Sequence, residues 1–119
     1  MKRTGQKSVR RYRRQSLLPF LFVYGTLRRG RPLHGELRRA GADFAGAASV
    51  RGRLADAGGF PGASLDGAET IAGELYYLPA PRQAFRRLDV VEGLQFRRAL
   101  TRVETARGWK RSWIYVRRK

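Results

Sequence analysis

An apolar run, Phe20-Leu21-Phe22-Val23-Tyr24, stops at Gly25-Thr26 and gives way to a basic loop ending at Gly30. The run reads as a central strand, and the glycines as the break that ends it. Residues 32–40 read as a short helix, opened by Pro32 and closed by Gly41. Residues 44–54, rich in small side chains, predict one long bent strand or two short ones. Residues 57–62, with three glycines and a proline, predict a turn region. A strand follows at 71–78. A second helix is predicted over 81–91, where Phe85, Leu88 and Val91 recur at three-residue spacing, and Gly93 caps it. Residues 100–105 alternate, and Gly108 marks a hairpin turn. Residues 113–116 (Trp-Ile-Tyr-Val) are apolar on both faces, as expected of a strand that is central or closes a barrel. The pattern predicts an α+β domain: a small curled sheet or β-barrel of about six or seven strands with two flanking helices.

Composition narrows the chemistry. The 119 residues suffice for one domain. There is no cysteine and one histidine, His34. Disulfides, thiolate metal sites, a cysteine nucleophile and a multi-histidine zinc site are therefore excluded. No Gly-x-Ser-x-Gly elbow is present. His34, beside Leu33 and Leu37, reads as a packing histidine on its helix.

The net charge is +17, and 22 of the 26 basic residues are arginine. Residues 1–19 carry seven Lys or Arg and no acid; the rest carry 19 basic and 9 acidic groups, so the body is basic as well. Residues 1–19 read as a basic, disordered tail and 20–119 as the domain. Arg13-Arg14 ahead of a short apolar stretch mimics a twin-arginine signal, and the acid-free composition mimics a presequence. No A-x-A-like cleavage site follows, and Arg28, Arg29 and Arg31 close the run. No stretch approaches the length of a membrane span, so a cytoplasmic location, with no membrane partner, is the expectation.

Two segments carry candidate chemistry. A strand that delivers the N–H groups of Gly25, Thr26 and Leu27 into a tight loop makes an anion-binding concavity; an ordinary turn after a core strand is the plainer reading. In Leu88-Asp89-Val90-Val91-Glu92-Gly93, Asp89 and Glu92 share a helix face. The helix C-terminus, the Asp89 charge and any burial all push Glu92 upward, toward a general base; a solvated Glu-Gly helix end is the alternative. Trp109 and Trp113, with Arg107, Lys110 and Arg111, offer a stacking platform for bases. Of the two, Trp113 is expected in the core and Trp109 exposed.

Residues 23–28 (Val-Tyr-Gly-Thr-Leu-Arg) resemble the opening motif of the γ-glutamylcyclotransferase-like family, which includes γ-glutamylamine cyclotransferases and AIG2-like proteins. Leu88-Asp89-x-x-Glu92-Gly93 resembles the segment that carries its catalytic Glu. Gly58-Gly59-Phe60-Pro61-Gly62-Ala63, Gly73-Glu74-Leu75-Tyr76 and Trp113-Ile114-Tyr115-Val116 resemble its Gly-Tyr-Pro-Ala-like loop, its Gly-Glu-Leu-Tyr strand and its final strand. The resemblance implies the family's barrel fold and a cyclotransferase. The α-amine of a γ-glutamyl amide attacks its own γ-carbonyl, releasing 5-oxoproline and a free amine without cofactor or metal. It implies Glu92 as general acid/base, the backbone of Gly25, Thr26 and Leu27 as the glutamyl cradle, and Tyr24 and Tyr115 in the substrate pocket. A monomer or weak oligomer is expected. The segment after Glu92 departs from the family: it is short, and Phe96 stands where a Tyr is common. The competing reading is a non-catalytic, basic member of the fold that binds nucleic acid or another polyanion.

Overall fold

The computed structural model describes residues 17–57 and 60–118. Its strands are β1 (Phe20–Val23), β2 (Asp43–Ala57), β3 (Phe60–Tyr77), β4 (Phe96–Thr105) and β5 (Gly108–Arg117). Helix α1 (His34–Arg39) follows β1, and α2 (Pro81–Glu92) joins β3 to β4. The strands close into a barrel in the order β1-β3-β2-β4-β5, with β5 returning to β1 in parallel through Leu21↔Trp113 and Phe22↔Ile114. Closure removes the open edges that a sheet of this length would otherwise present. Residues 1–16 of the expected tail, and Gly58 and Gly59 of the expected loop, lie outside the described residues. Among the described residues, Leu17 packs against the outer core, and the Pro19 carbonyl accepts from the Leu78 N–H at 2.6 Å.

The described residues form five strands rather than six or seven, because two of the strands are long. β2 is one strand of 15 residues, and β3 extends for 18. Phe60, Pro61 and Gly62, expected in a turn, already pair with Ala57, Asp56 and Ala55. The ladder jumps from Gly52↔Glu69 to Arg53↔Ser64. Residues 65–68 stand outside it, so β3 bends without ending, as a bulge allows. Below the bend Ala63 pairs with Val116 of β5; above it β3 pairs with β1.

The apolar residues divide by the two-residue alternation of strands. Phe22, Val50, Ile71, Leu75, Val103 and Ile114 fill the barrel interior. Leu21, Val23, Tyr76 and Tyr115 face outward, against Leu37 of α1 and Ala84, Phe85 and Leu88 of α2. β1 therefore buries both faces, which is why it reads as an unbroken apolar run.

Gly73 marks a close approach. A Cβ there would lie 2.3 Å from the Val23 carbonyl oxygen and 2.7 Å from the Phe22 ring. Gly73→Ala is expected to push β1 off β3 and to lower stability by about 1–3 kcal/mol, read as a reduced denaturation midpoint at unchanged m-value.

Candidate functional site

Where β1 runs out, the chain turns at Gly25 into a loop in which the carbonyls of Gly25, Thr26 and Leu27 are each engaged. Gly25 O accepts from the Arg28 N–H at 3.1 Å and from Arg28 Nε at 3.3 Å. Thr26 O accepts from the Leu33 N–H at 2.9 Å. Leu27 O lies 3.0 Å from His34 Nδ1, which must carry the proton in that contact. With the three carbonyls engaged by the loop and α1, the N–H groups of Gly25, Thr26 and Leu27 take no part in these bonds.

Two side chains hold the loop in place. The buried Tyr24 hydroxyl donates to the Tyr115 carbonyl at 2.6 Å and accepts from the Ala63 N–H at 2.8 Å. Burial, against the opposing pull of the Ala63 bond, pushes this phenol up to about 12. At the far end, Glu74 Oε1 accepts from the Arg29 N–H and from the Tyr76 hydroxyl, each at 3.0 Å.

Opposite the loop, α2 presents its last turn. The helix packs through Ala84, Phe85 and Leu88, which brings Asp89 and Glu92 to the edge of that face. Gly93, at φ 87° in the region that favours glycine, ends the helix there.

The two carboxylates have opposite surroundings. Glu92 is half-buried, and among the described residues no hydrogen bond or ion pair reaches it. Burial pushes its carboxyl up to about 7. The expected contribution of Asp89 to this rise is absent, because Asp89 is engaged elsewhere. Arg98 Nε and Nη2 donate to its two oxygens at 2.8 and 3.1 Å, and the Tyr115 hydroxyl donates to Oδ1 at 2.7 Å. Burial alone raises the Asp89 carboxyl, but these bonds and the Arg98 charge outweigh it and hold it below its usual range. The Arg98 guanidinium sits 4.4 Å from the Phe85 ring centroid and 4.7 Å from that of Trp113, held between α2 and β5. The Tyr115 phenol is pushed far up by burial and by its bond to Asp89.

Between loop and helix lies a cleft of about 120 Å³. Tyr24, Gly25, Thr26, Leu27, Glu92 and Tyr115, the six expected site residues, all line it. Leu33, Pro61, Val91 and Phe96 supply apolar wall. The Tyr24 hydroxyl is committed to two backbone groups and that of Tyr115 to Asp89, so both phenols shape the cleft and neither hydroxyl is free. Phe96 gives the wall no hydroxyl. Sequence reasoning missed Glu74, His34 and Arg98. Glu74 falls in a quoted motif, but its loop-anchoring bond spans 45 residues. Of the tryptophans, Trp113 packs against the outer core and Trp109 is 53% exposed.

A small closed barrel whose first strand ends in a loop across a cleft from a half-buried carboxylic acid defines the class. Residues 21–119 match the family described as Gamma-glutamyl cyclotransferase, AIG2-like, and the chain belongs to it. It is 33% identical over 108 residues to the Gamma-L-glutamyl-butirosin B gamma-glutamyl cyclotransferase of Niallia circulans, a match covering 83% of this chain and 67% of that protein. Among solved structures it is similar to YkqA from Bacillus subtilis, with 31% identity and a TM-score of 0.70. That match covers 83% of this chain but 35% of YkqA, so the chain spans about a third of that protein's length. It shares its fold with a mouse AIG2-like protein, with 24% identity, a TM-score of 0.70, and coverage of 83% and 76% of the two chains.

Two substitutions test this geometry. Tyr24→Phe leaves the buried Ala63 N–H and Tyr115 carbonyl without their partner and is expected to cost about 1–3 kcal/mol in chemical denaturation. Asp89→Asn is expected to cost about 1 kcal/mol at neutral pH. Because the folded-state pKa of Asp89 is depressed, its contribution is present above the unfolded value and lost as pH falls through the folded one. The stability gap between wild type and Asp89→Asn therefore closes in acid.

Proposed function

We propose that this chain is a γ-glutamyl cyclotransferase that converts a γ-glutamyl amide to 5-oxoproline and a free amine, with Glu92 as general acid/base. The observation that carries this reading is the pairing, across one cleft, of the Gly25–Leu27 backbone with a carboxyl that burial lifts to about 7.

The glutamyl group sits with its carboxylate and γ-carbonyl oxygen toward the N–H groups of Gly25, Thr26 and Leu27. Amides fixed in such a loop stabilise negative charge as it develops on the carbonyl oxygen. Glu92 accepts a proton from the substrate's α-ammonium. The freed amine attacks the γ-carbonyl carbon, the ring C–N bond forms, and the original amide C–N bond breaks. Glu92 returns that proton to the departing amine, and the second proton shed by the ring nitrogen follows through the same carboxylate, so the amine leaves as its ammonium ion. A residue that must both take and give a proton near neutrality works best with a pKa near the working pH, which an exposed glutamate lacks. Ring closure is intramolecular, so positioning carries much of the rate. Leu33, Val91 and Phe96 keep the folded-back substrate in an apolar enclosure.

Release of 5-oxoproline from γ-glutamyl amino acids and γ-glutamyl amines tests the reading. Glu92→Gln is expected to lose about 10²–10⁴-fold in turnover while staying folded; full retention of turnover would remove Glu92 as the base. In the wild type, kcat/KM should rise with pH through about 7, as Glu92 ionises. Stability moves the other way. The raised carboxyl holds its proton longer in the folded state than in the unfolded one, so stability falls as pH rises from the unfolded value through about 7. Glu92→Gln should thus melt above wild type at alkaline pH and alongside it in acid.

A further inference from the structure

The outer face of the β4–β5 ladder is covered by α2 at one end and bare at the other. At the covered end, Arg98 and Trp113 lie against Phe85. Level with Trp113 the same face carries Leu100, and beyond it Arg102, Arg111, Trp109 and, directly opposite Trp109, Glu104. All five are exposed, with Leu100 at 39% and Trp109 at 53%. Arg102 and Arg111 are directly opposed in the register. Like charges across a ladder repel and destabilise the pair. The repulsion is only partly offset: Glu104 Oε2 accepts from Arg102 Nε at 3.1 Å, and the Arg102 guanidinium lies 4.6 Å from the Trp109 ring centroid. Arg107, Lys110 and Arg111 extend the positive charge around the hairpin tip.

The chain also enters the domain on this side. Trp113 Nε1 donates to the Leu18 carbonyl at 3.1 Å. Leu18 therefore lies at the covered end of this face, and residues 1–16 carry seven Lys or Arg and no acid. Trp109 and Tyr115 are six positions apart on β5, about 20 Å at strand rise, so this face is separate from the catalytic cleft.

We infer that the bare face of the β4–β5 hairpin is a binding site for single-stranded nucleic acid, with a base stacked on Trp109 and phosphates on the opposed pair Arg102 and Arg111. An exposed indole inside a field of arginines matches the two requirements of strand binding: a sequence-tolerant stacking surface and phosphate neutralisation. The base stacks on the indole in place of, or sandwiched with, Arg102. The phosphates relieve the Arg102–Arg111 repulsion that the unbound hairpin carries. A duplex, whose bases are already stacked, gains only the charge.

The test is fluorescence anisotropy of labelled oligo(U) and oligo(dT) strands of about 16 nucleotides, titrated with the full chain between about 50 and 200 mM salt. Micromolar or tighter binding is expected at the lower salt. Trp109→Ala should weaken it about tenfold, with Trp109→Phe close to wild type. Arg102→Gln with Arg111→Gln should flatten the log–log salt slope by about 1.4. The same two changes at Arg38 and Arg39, exposed on α1, should cost less. Strand binding should quench the intrinsic tryptophan fluorescence of wild type but not of Trp109→Phe, while 5-oxoproline release is unchanged in all hairpin variants. The proposal is overturned if Trp109→Ala binds as wild type does, if the α1 double variant loses as much as the hairpin one, or if a duplex of equal length binds as tightly as the strands. Preference for anionic phosphatidylserine vesicles over the strands would overturn it in favour of a membrane surface. A strong preference between the two oligonucleotides identifies whether RNA or DNA is the source of the strand.

Discussion

The Tyr24 hydroxyl is the contact on which the rest of the cleft depends. One oxygen joins three strands: it extends from the end of β1, donates to β5 and accepts from β3. Its bond to Ala63 fixes the lower arm of β3, which also places Pro61 in the cleft wall. Its bond to the Tyr115 carbonyl fixes the strand that carries the Tyr115 side chain toward Asp89. In the loop that follows Tyr24 the carbonyls of Gly25, Thr26 and Leu27 are taken by Arg28, Leu33 and His34. Burial that keeps the phenol protonated to about 12 keeps this junction intact across the whole working range of pH.

Asp89 and Glu92, three residues apart on one helix, show how a fold assigns different work to the same functional group. Asp89 meets a guanidinium held between two aromatic rings and stays ionised, binding α2 to β4 and β5. Glu92 meets apolar wall and no partner. A carboxylate in that position costs stability, and the cost rises with the fraction ionised. The Asp89–Arg98 pair supplies part of the rigidity that keeps α2 in place despite it. Such an arrangement, an unpaired acid braced by a paired one, gives the holding of the helix to Asp89 and leaves Glu92 no part in it.

The elements with strong local signals were legible in the sequence. β1 was visible because both of its faces are buried, and α2 because Phe85 and Leu88 repeat on one face between Pro81 and Gly93. The two motifs that meet in the cleft, Tyr24-Gly25-Thr26-Leu27 and Leu88–Gly93, were only candidates on their residues, and their resemblance to the family's motifs is what singled them out. The long strands were not legible. Pro61, Gly62 and Gly67 are turn signals, and only pairing with distant partners keeps β3 extended through them. The expectation that Asp89 raises Glu92 failed because its true partner, Arg98, is one arginine among 22 and lies on another element. Glu74 and His34 were hidden similarly: a bond to a backbone group leaves no pattern in side-chain order.

The barrel is sealed by its first and last strands, and the Tyr24–Tyr115 bond that completes the cleft joins residues 91 positions apart. Loop closure over that length is entropically unfavourable until most other contacts have formed, and such long-range pairings slow folding. As the chain leaves the ribosome, the apolar β1 emerges before β5 and must wait for it before its second edge is covered. During that interval it is an unpaired, sticky strand with only β3 as a native neighbour. The chain's vulnerable moment is therefore the interval before that pairing, and the cleft comes into existence only when β5 arrives.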